Sequence, residues 1–146
     1  MLDSGVDDYF QSGFKAGHST ESALLFITDK LRRCSDSGNV SLLVLLDFSA
    51  AFGTVDHALL LERLNSFSGL SGAALNWFHS YLTDRTQHVS LGGASSKSTA
   101  LSCGVPQGSV LGPLLFRIYL LPLGLLLRSL NISFHFYADD TQIYLS

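Results

Sequence analysis

The sequence predicts an α+β fold, an antiparallel sheet with helices packed on one face. Three observations carry this. The nearly continuous apolar run Ser41–Phe48 (SLLVLLDF) reads as a strand. Two segments of helical period, His57–Phe67 and Ser71–Leu82, follow it. The chain then closes on two alternating segments, Ile132–Ala138 (ISFHFYA) and Thr141–Leu145 (TQIYL), either side of Asp139-Asp140. That is the pattern of a hairpin with two carboxylates in its tight turn.

The elements follow in order. Ser19 or Thr20 caps a helix to about Arg33, with Ala23, Leu24, Ile27 and Leu31 at helical spacing. Ser35-Asp36-Ser37-Gly38-Asn39 ends it. Ser41–Phe48 suits a central strand buried on both faces. The next two helices meet at Ser68-Gly69-Leu70, with Leu59, Leu60, Leu64, Leu75, Phe78 and Leu82 as core. Trp77, Phe78 and Tyr81 share helical spacing and also read as core. Gln87–Leu91 alternates as a strand, Gly92-Gly93 turns it, and Leu101–Cys103 is its expected partner. A glycine-rich loop, Gly104 to Gly112, feeds a long apolar helix. Within that helix the uninterrupted stretch Ile118–Leu127 falls short of the ~20 residues that span a bilayer, so no membrane association is expected.

Composition bounds the function. The 146 residues are 47% hydrophobic and 14% charged, against about 25% charged in an average soluble domain. One domain is expected, 11–146, after a tail at residues 1–10, and a domain this apolar expects a neighbour over part of its surface. The net charge of −3 lacks the basic surplus of a freestanding nucleic-acid binder. Cys34 and Cys103 stand alone and read as buried reduced thiols. The five histidines form no ligand pair at helical spacing and read as structural or surface groups. The first eleven residues carry Asp3, Asp7 and Asp8 and no basic stretch, unlike a secretory leader.

The carboxylates carry the chemistry. Asp47 ends an apolar strand, where a carboxylate is costly unless paired, hydrogen-bonded or bound to metal. Asp139 and Asp140 follow another. If the two strands are neighbours, these acids meet at one end of the sheet and repel each other. A divalent cation resolves that repulsion, and oxygen-only ligation suits Mg²⁺. The plain alternative is a solvated Asp-Asp turn.

Motifs around these acids decide between the two. LLDFSAAFGTVDH (Leu45–His57), GVPQGSVLGPLLF (Gly104–Phe116) and YADD (Tyr137–Asp140) occur in the order of the palm motifs of reverse transcriptases. QSGFKAGHSTESAL (Gln11–Leu24) resembles the stretch joining fingers to palm. The chain therefore resembles a partial reverse transcriptase domain of a non-LTR (LINE-type) retrotransposon. The fold so implied is a polymerase palm-like sheet with incomplete fingers and no thumb.

The resemblance implies RNA-directed DNA polymerase chemistry, with two Mg²⁺ ions (Mn²⁺ as the alternative) held by Asp47, Asp139 and Asp140. Phe48 would lend its backbone carbonyl to a metal. Phe52 would lie under the sugar of the incoming nucleotide and reject a 2′-hydroxyl by bulk. Pro106, Gln107 and Gly108 would position template base and nucleotide. The implied partners are template RNA or DNA, primer and dNTP, and the implied location is nuclear or cytoplasmic. Basic fingers and thumb segments, needed for tight binding, fall outside the match, so activity of these residues alone is not expected.

Two departures stand out. Gly53 replaces the usual Asp of AFDTVDH, which removes an expected helix cap. Lys15-Ala16 stands where Arg-Pro is common, and Lys lacks the planar fork that grips phosphate. Two other function classes compete with the polymerase: a non-catalytic remnant serving at most as an interaction fragment, and a carboxylate-metal hydrolase sharing only the hairpin. The hydrolase leaves Gly104–Phe116 unexplained.

Overall fold

A computed structural model describes residues 11–145; the tail expected at 1–10 lies outside them. The described chain forms two compact units. The first holds residues up to Ala51 together with those from Leu120 onward, and the second is Phe52–Tyr119.

The first unit begins with helix α1 (Thr20–Asp36), three residues longer than its apolar spacing predicts. Ser19 caps it: the Ser19 hydroxyl accepts the Ser22 N–H at 3.1 Å, and the Ser22 hydroxyl accepts the Ser19 N–H at 2.9 Å. Strand β1 (Leu42–Leu46) follows. Strands β6 (Ser133–Tyr137) and β7 (Asp140–Leu145) complete an antiparallel sheet of order β1-β7-β6.

The sheet corrects two expectations. β1 is an edge strand rather than a central one, and all five of its residues are exposed. Its apolar run reports what a strand could bury, while the described chain lays no element over it. Helices also pack on both faces of β6 rather than on one. Adjacent strand residues point to opposite faces, and Phe134, His135 and Phe136 are all buried. Phe134 and Phe136 cluster with Leu127 and Leu123. His135, on the other face, lies 5.4 Å from the Phe26 ring of α1.

The second unit opens on a 3₁₀ turn (Ala51–Gly53), then α2 (His57–Ser68) and α3 (Gly72–Leu82). Gly69, at φ 66°, takes the left-handed conformation that ends α2. The α2 cap is Asp56, whose carboxylate accepts the Leu59 N–H at 2.9 Å. Gly53 is therefore not at a cap, contrary to expectation. Gln87–Leu91 is not one strand. It splits into β2 (Thr86–Gln87) and β3 (Ser90–Leu91). β3 pairs with β4 (Ala94–Ser95) across Gly92-Gly93, and β2 with β5 (Thr99–Ala100). Leu101–Cys103 is thus not the partner; Cys103 instead bridges Asp56. Cys103 is exposed and Cys34 half-buried, so neither is the buried thiol expected.

Helix α4 (Gly112–Ser129) starts in the second unit and ends in the first. At 1.5 Å per residue it measures about 27 Å, just long and apolar enough to cross a membrane. Leu115, Phe116, Ile118, Leu120 and Leu127 are buried in protein instead. Arg117 is half-buried, and burial lowers its pKa.

Candidate active site

The β1–β7 register brings the carboxylates together. Leu46 pairs with Thr141. Asp47 follows the first and Asp140 precedes the second, so both acids stand at one end of the strand pair. Tyr137 pairs with Asp140 across the hairpin. The two-residue turn is therefore Ala138-Asp139 rather than Asp139-Asp140, with Asp140 opening β7. Ala138 occupies the left-handed region at φ 57°, an unusual position for a residue with a Cβ.

Electrostatics joins the three acids. The Asp140 carboxyl is raised above its ordinary value by partial burial, then by the negative charges of Asp139 and Asp47. Arg32 and Arg33 pair along α1 with Asp36 and Asp29. Oxygen-only donors of one sign fit a hard divalent cation. Among the described residues, no three His, Cys, Asp or Glu side chains stand close enough together to hold a metal ion between them. The match is therefore one of donor chemistry, not of an assembled metal site.

The segment before α1 holds this turn. Gln11 bridges Phe136 in parallel, and the Ser12 N–H donates to the Phe136 carbonyl at 2.9 Å. The Gln11 side-chain oxygen accepts two backbone N–H groups, from Gly13 at 2.7 Å and Ala138 at 3.2 Å. The Ser12 hydroxyl is hydrogen-bonded to His135 Nε2 at 2.9 Å. A Cβ on Gly13 would fall 2.0 Å from the Ala138 nitrogen. Sequence reasoning singled out Gln11–Leu24 by resemblance but assigned Gln11, Ser12 and Gly13 no positioning role.

Phe48 is half-buried beside Asp47 in the first unit. Phe52, Pro106, Gln107 and Gly108 belong to the second. Phe52 is half-buried, and its ring lies 5.1 Å from that of Phe116. Its carbonyl accepts the Val105 N–H at 2.7 Å, which ties the glycine-rich loop to the 3₁₀ turn. Pro106, Gln107 and Gly108 are exposed, with Gly108 at φ 82°. His57, buried at the start of α2, donates from Nε2 to the Gly104 carbonyl at 2.7 Å and anchors the other end of the loop. The Ser109 hydroxyl accepts the Gly112 N–H at 3.0 Å, a capping role at the start of α4.

Comparison with known proteins identifies the family. The reverse transcriptase (RNA-dependent DNA polymerase) family matches residues 2–146. The chain is 35% identical over 119 residues to a probable RNA-directed DNA polymerase from transposon X-element of Drosophila melanogaster, covering 82% of this chain and 13% of that protein. It is 32% identical over 110 residues to the RNA-directed DNA polymerase from mobile element jockey of the same organism, covering 75% of this chain and 12% of that protein. The chain thus spans about an eighth of the curated relatives it matches. Among solved structures, apo telomerase from Candida tropicalis, truncated from its C-terminal domain, shares the fold at a TM-score of 0.67 and 15% identity, over 94% of this chain and 30% of that one. With its family match running nearly end to end, the chain belongs to the reverse transcriptase (RNA-dependent DNA polymerase) family, alongside polymerases of non-LTR retrotransposons.

Proposed function

We propose that residues 11–146 are the end of the fingers plus the palm of an RNA-directed DNA polymerase and that Asp47, Asp139 and Asp140 are its catalytic carboxylates. The observation that carries this is the strand register, which sets Asp47 after Leu46 and Asp140 before Thr141 at one end of the β1–β7 pair. The reaction joins a primer 3′-oxygen to the α-phosphorus of a dNTP and releases pyrophosphate. Asp47, Asp139 and Asp140 would hold two divalent cations, Mg²⁺ or Mn²⁺, with Phe48 adding a backbone carbonyl, and the ions would supply charge neutralisation to the transfer. Phe52, braced by Phe116, lies against the nucleotide sugar and leaves no room for a 2′-hydroxyl. Pro106, Gln107 and Gly108 position template base and nucleotide; Gln107 offers both a donor and an acceptor, and Gly108 lets backbone approach closely.

A second reading is supported by the bare apolar edge strand β1. On it, the 146 residues do not turn over alone and serve at most as an interaction fragment. Primer extension on an RNA template tests both readings. The chain is assayed alone and grafted in place of the matching segment of the jockey polymerase. Extension by the graft that vanishes with Asp139→Asn supports the carboxylate assignment. Extension that survives the substitution overturns it. Extension by the chain alone overturns the second reading.

A further inference from the structure

Helix α3 carries an aromatic ladder that the polymerase reading does not use. Trp77 and Tyr81, four residues apart, stack with ring centroids 5.4 Å apart and planes 11° from parallel. Phe78 braces Trp77 edge-on at 5.1 Å and 87°. The Arg85 guanidinium lies 5.7 Å from the Tyr81 ring centre and extends the column by one cation. Trp77, read from the sequence as core, is 52% exposed. A large indole left half in water forgoes much of the stabilisation its burial would bring, so the described fold does not account for its place.

The surroundings select a partner. Tyr81 and Arg85 also line a cavity of about 490 Å³ with His57, Gln87, Cys103 and Pro106. That volume lies within the usual range for small-ligand sites, about 300–1,000 Å³. No carboxylate lines this cavity, and α3 itself contains no Asp or Glu. The acids of the region, Asp56 and Asp84, line the neighbouring cavity with His79, and Arg85 borders both. An acid-free wall with an exposed stacking face, a guanidinium and a free-facing amide residue suits bases and phosphates of an unpaired strand. A purely apolar partner would leave Arg85 and Gln87 without counterparts.

We infer that the Trp77–Tyr81–Arg85 column and its adjoining cavity bind single-stranded nucleic acid. A base stacks on the open face of Trp77, and a phosphate pairs with Arg85. The inference rests on the polymerase reading only for the identity of Pro106 as the start of the template-positioning loop, from which the strand would run on. It requires no metal and no carboxylate.

Trp77 is the only tryptophan in the chain, so its emission reports this site directly. The full chain is titrated with an oligo-uridylate of about 15 nucleotides, in EDTA, with emission excited at the red edge of the indole band. The expected result is saturable quenching that weakens as salt rises. Anisotropy with the same oligonucleotide labelled with fluorescein reads the variants. Trp77→Ala should weaken binding about 5- to 100-fold, the range for loss of one stacked base. Arg85→Ala should weaken it and flatten the salt dependence. Unchanged emission up to about 100 μM oligonucleotide, the weak end of non-specific affinity, with helical circular dichroism intact, overturns the inference. So does quenching that follows protein concentration instead, which would mean a second copy covers Trp77. Neither result bears on Asp139, whose test is primer extension by the graft.

Discussion

The side-chain oxygen of Gln11 accepts the backbone N–H of Ala138 at 3.2 Å, across 127 residues of chain. The same oxygen accepts the Gly13 N–H at 2.7 Å. One buried amide thus fixes the turn that carries Asp139. Gln11→Ala leaves two buried N–H groups without a partner, at about 1–3 kcal/mol each. The expected outcome is a fall in melting temperature of several degrees. Weaker amide protection at Ala138 should accompany it, measured by hydrogen exchange.

Gly13→Ala should be worse. The new methyl would fall 2.0 Å from the Ala138 nitrogen and 2.7 Å from its Cα, both backbone atoms that cannot swing aside. The hairpin must shift, and a loss of about 3 kcal/mol or more is expected, in the range of severe single substitutions. Chemical denaturation measures it. A Gly13→Ala protein as stable as the parent would show that the segment does not clasp the turn.

The Asp140 carboxyl sets a pH dependence. Its folded pKa is raised, so between its ordinary value of 3.8 and the folded value the folded protein binds the proton more readily than the unfolded chain. Stability from this group therefore falls as pH rises through that window. Asp140→Asn should remove this component of the slope. Millimolar Mg²⁺ should lower the Asp140 midpoint in NMR titrations.

At α2 the cap is Asp56. Asp56→Ala should cost about 1 kcal/mol, the usual value for a lost N-cap. Gly53→Asp should not compensate for it, because residue 53 ends the preceding 3₁₀ turn rather than opening the helix. Urea denaturation of the single and double variants distinguishes these outcomes.

β1 exposes Leu42 and Leu45 at 58% and 69%. Charging such an edge blocks strand addition at little cost to the fold. Leu42→Lys with Leu45→Lys should leave the melting temperature within about two degrees, since surface changes fall within about ±0.5 kcal/mol. It should also shift sedimentation toward monomer at high concentration.

Much of this was legible in sequence for local reasons. Ser19, Gly69 and the Gly92-Gly93 turn act through their own backbone geometry, and each stands where its chemistry predicts. Two apolar runs ending in acids, Ser41–Phe48 and Ile132–Ala138, suggest neighbouring strands that bring Asp47 to Asp139; β7 instead lies between those strands and sets Asp140 at the end beside Asp47. The misreadings are non-local. The leucines of β1 signal a capacity for burial without saying what would cover them. On α3 the apolar residues Ala73, Ala74, Leu75, Trp77, Phe78, Tyr81 and Leu82 surround most of the helix, so period alone could not tell which side Trp77 faces. The hairpin turn moved by one residue because Ala138 adopts a conformation that turn preferences assign to Asn, Asp or Gly. The external hold from Gln11 and Gly13 makes that affordable. Nothing in the identity of Gln11 announces a partner 127 residues away.

The sheet is anchored from one side only. β6 is sealed above and below, β7 is half-covered, and β1 hangs on the β7 ladder alone. Local opening costs least where few buried contacts must break, so hydrogen exchange should quicken stepwise from Phe136 through Ile143 to Val44. The acids divide accordingly. Asp139 and Asp140 ride on the slow, clamped hairpin, while Asp47 rides on the strand that breathes. On the proposed assignment, a cation bound there would have to immobilise one partner against two held by the hairpin.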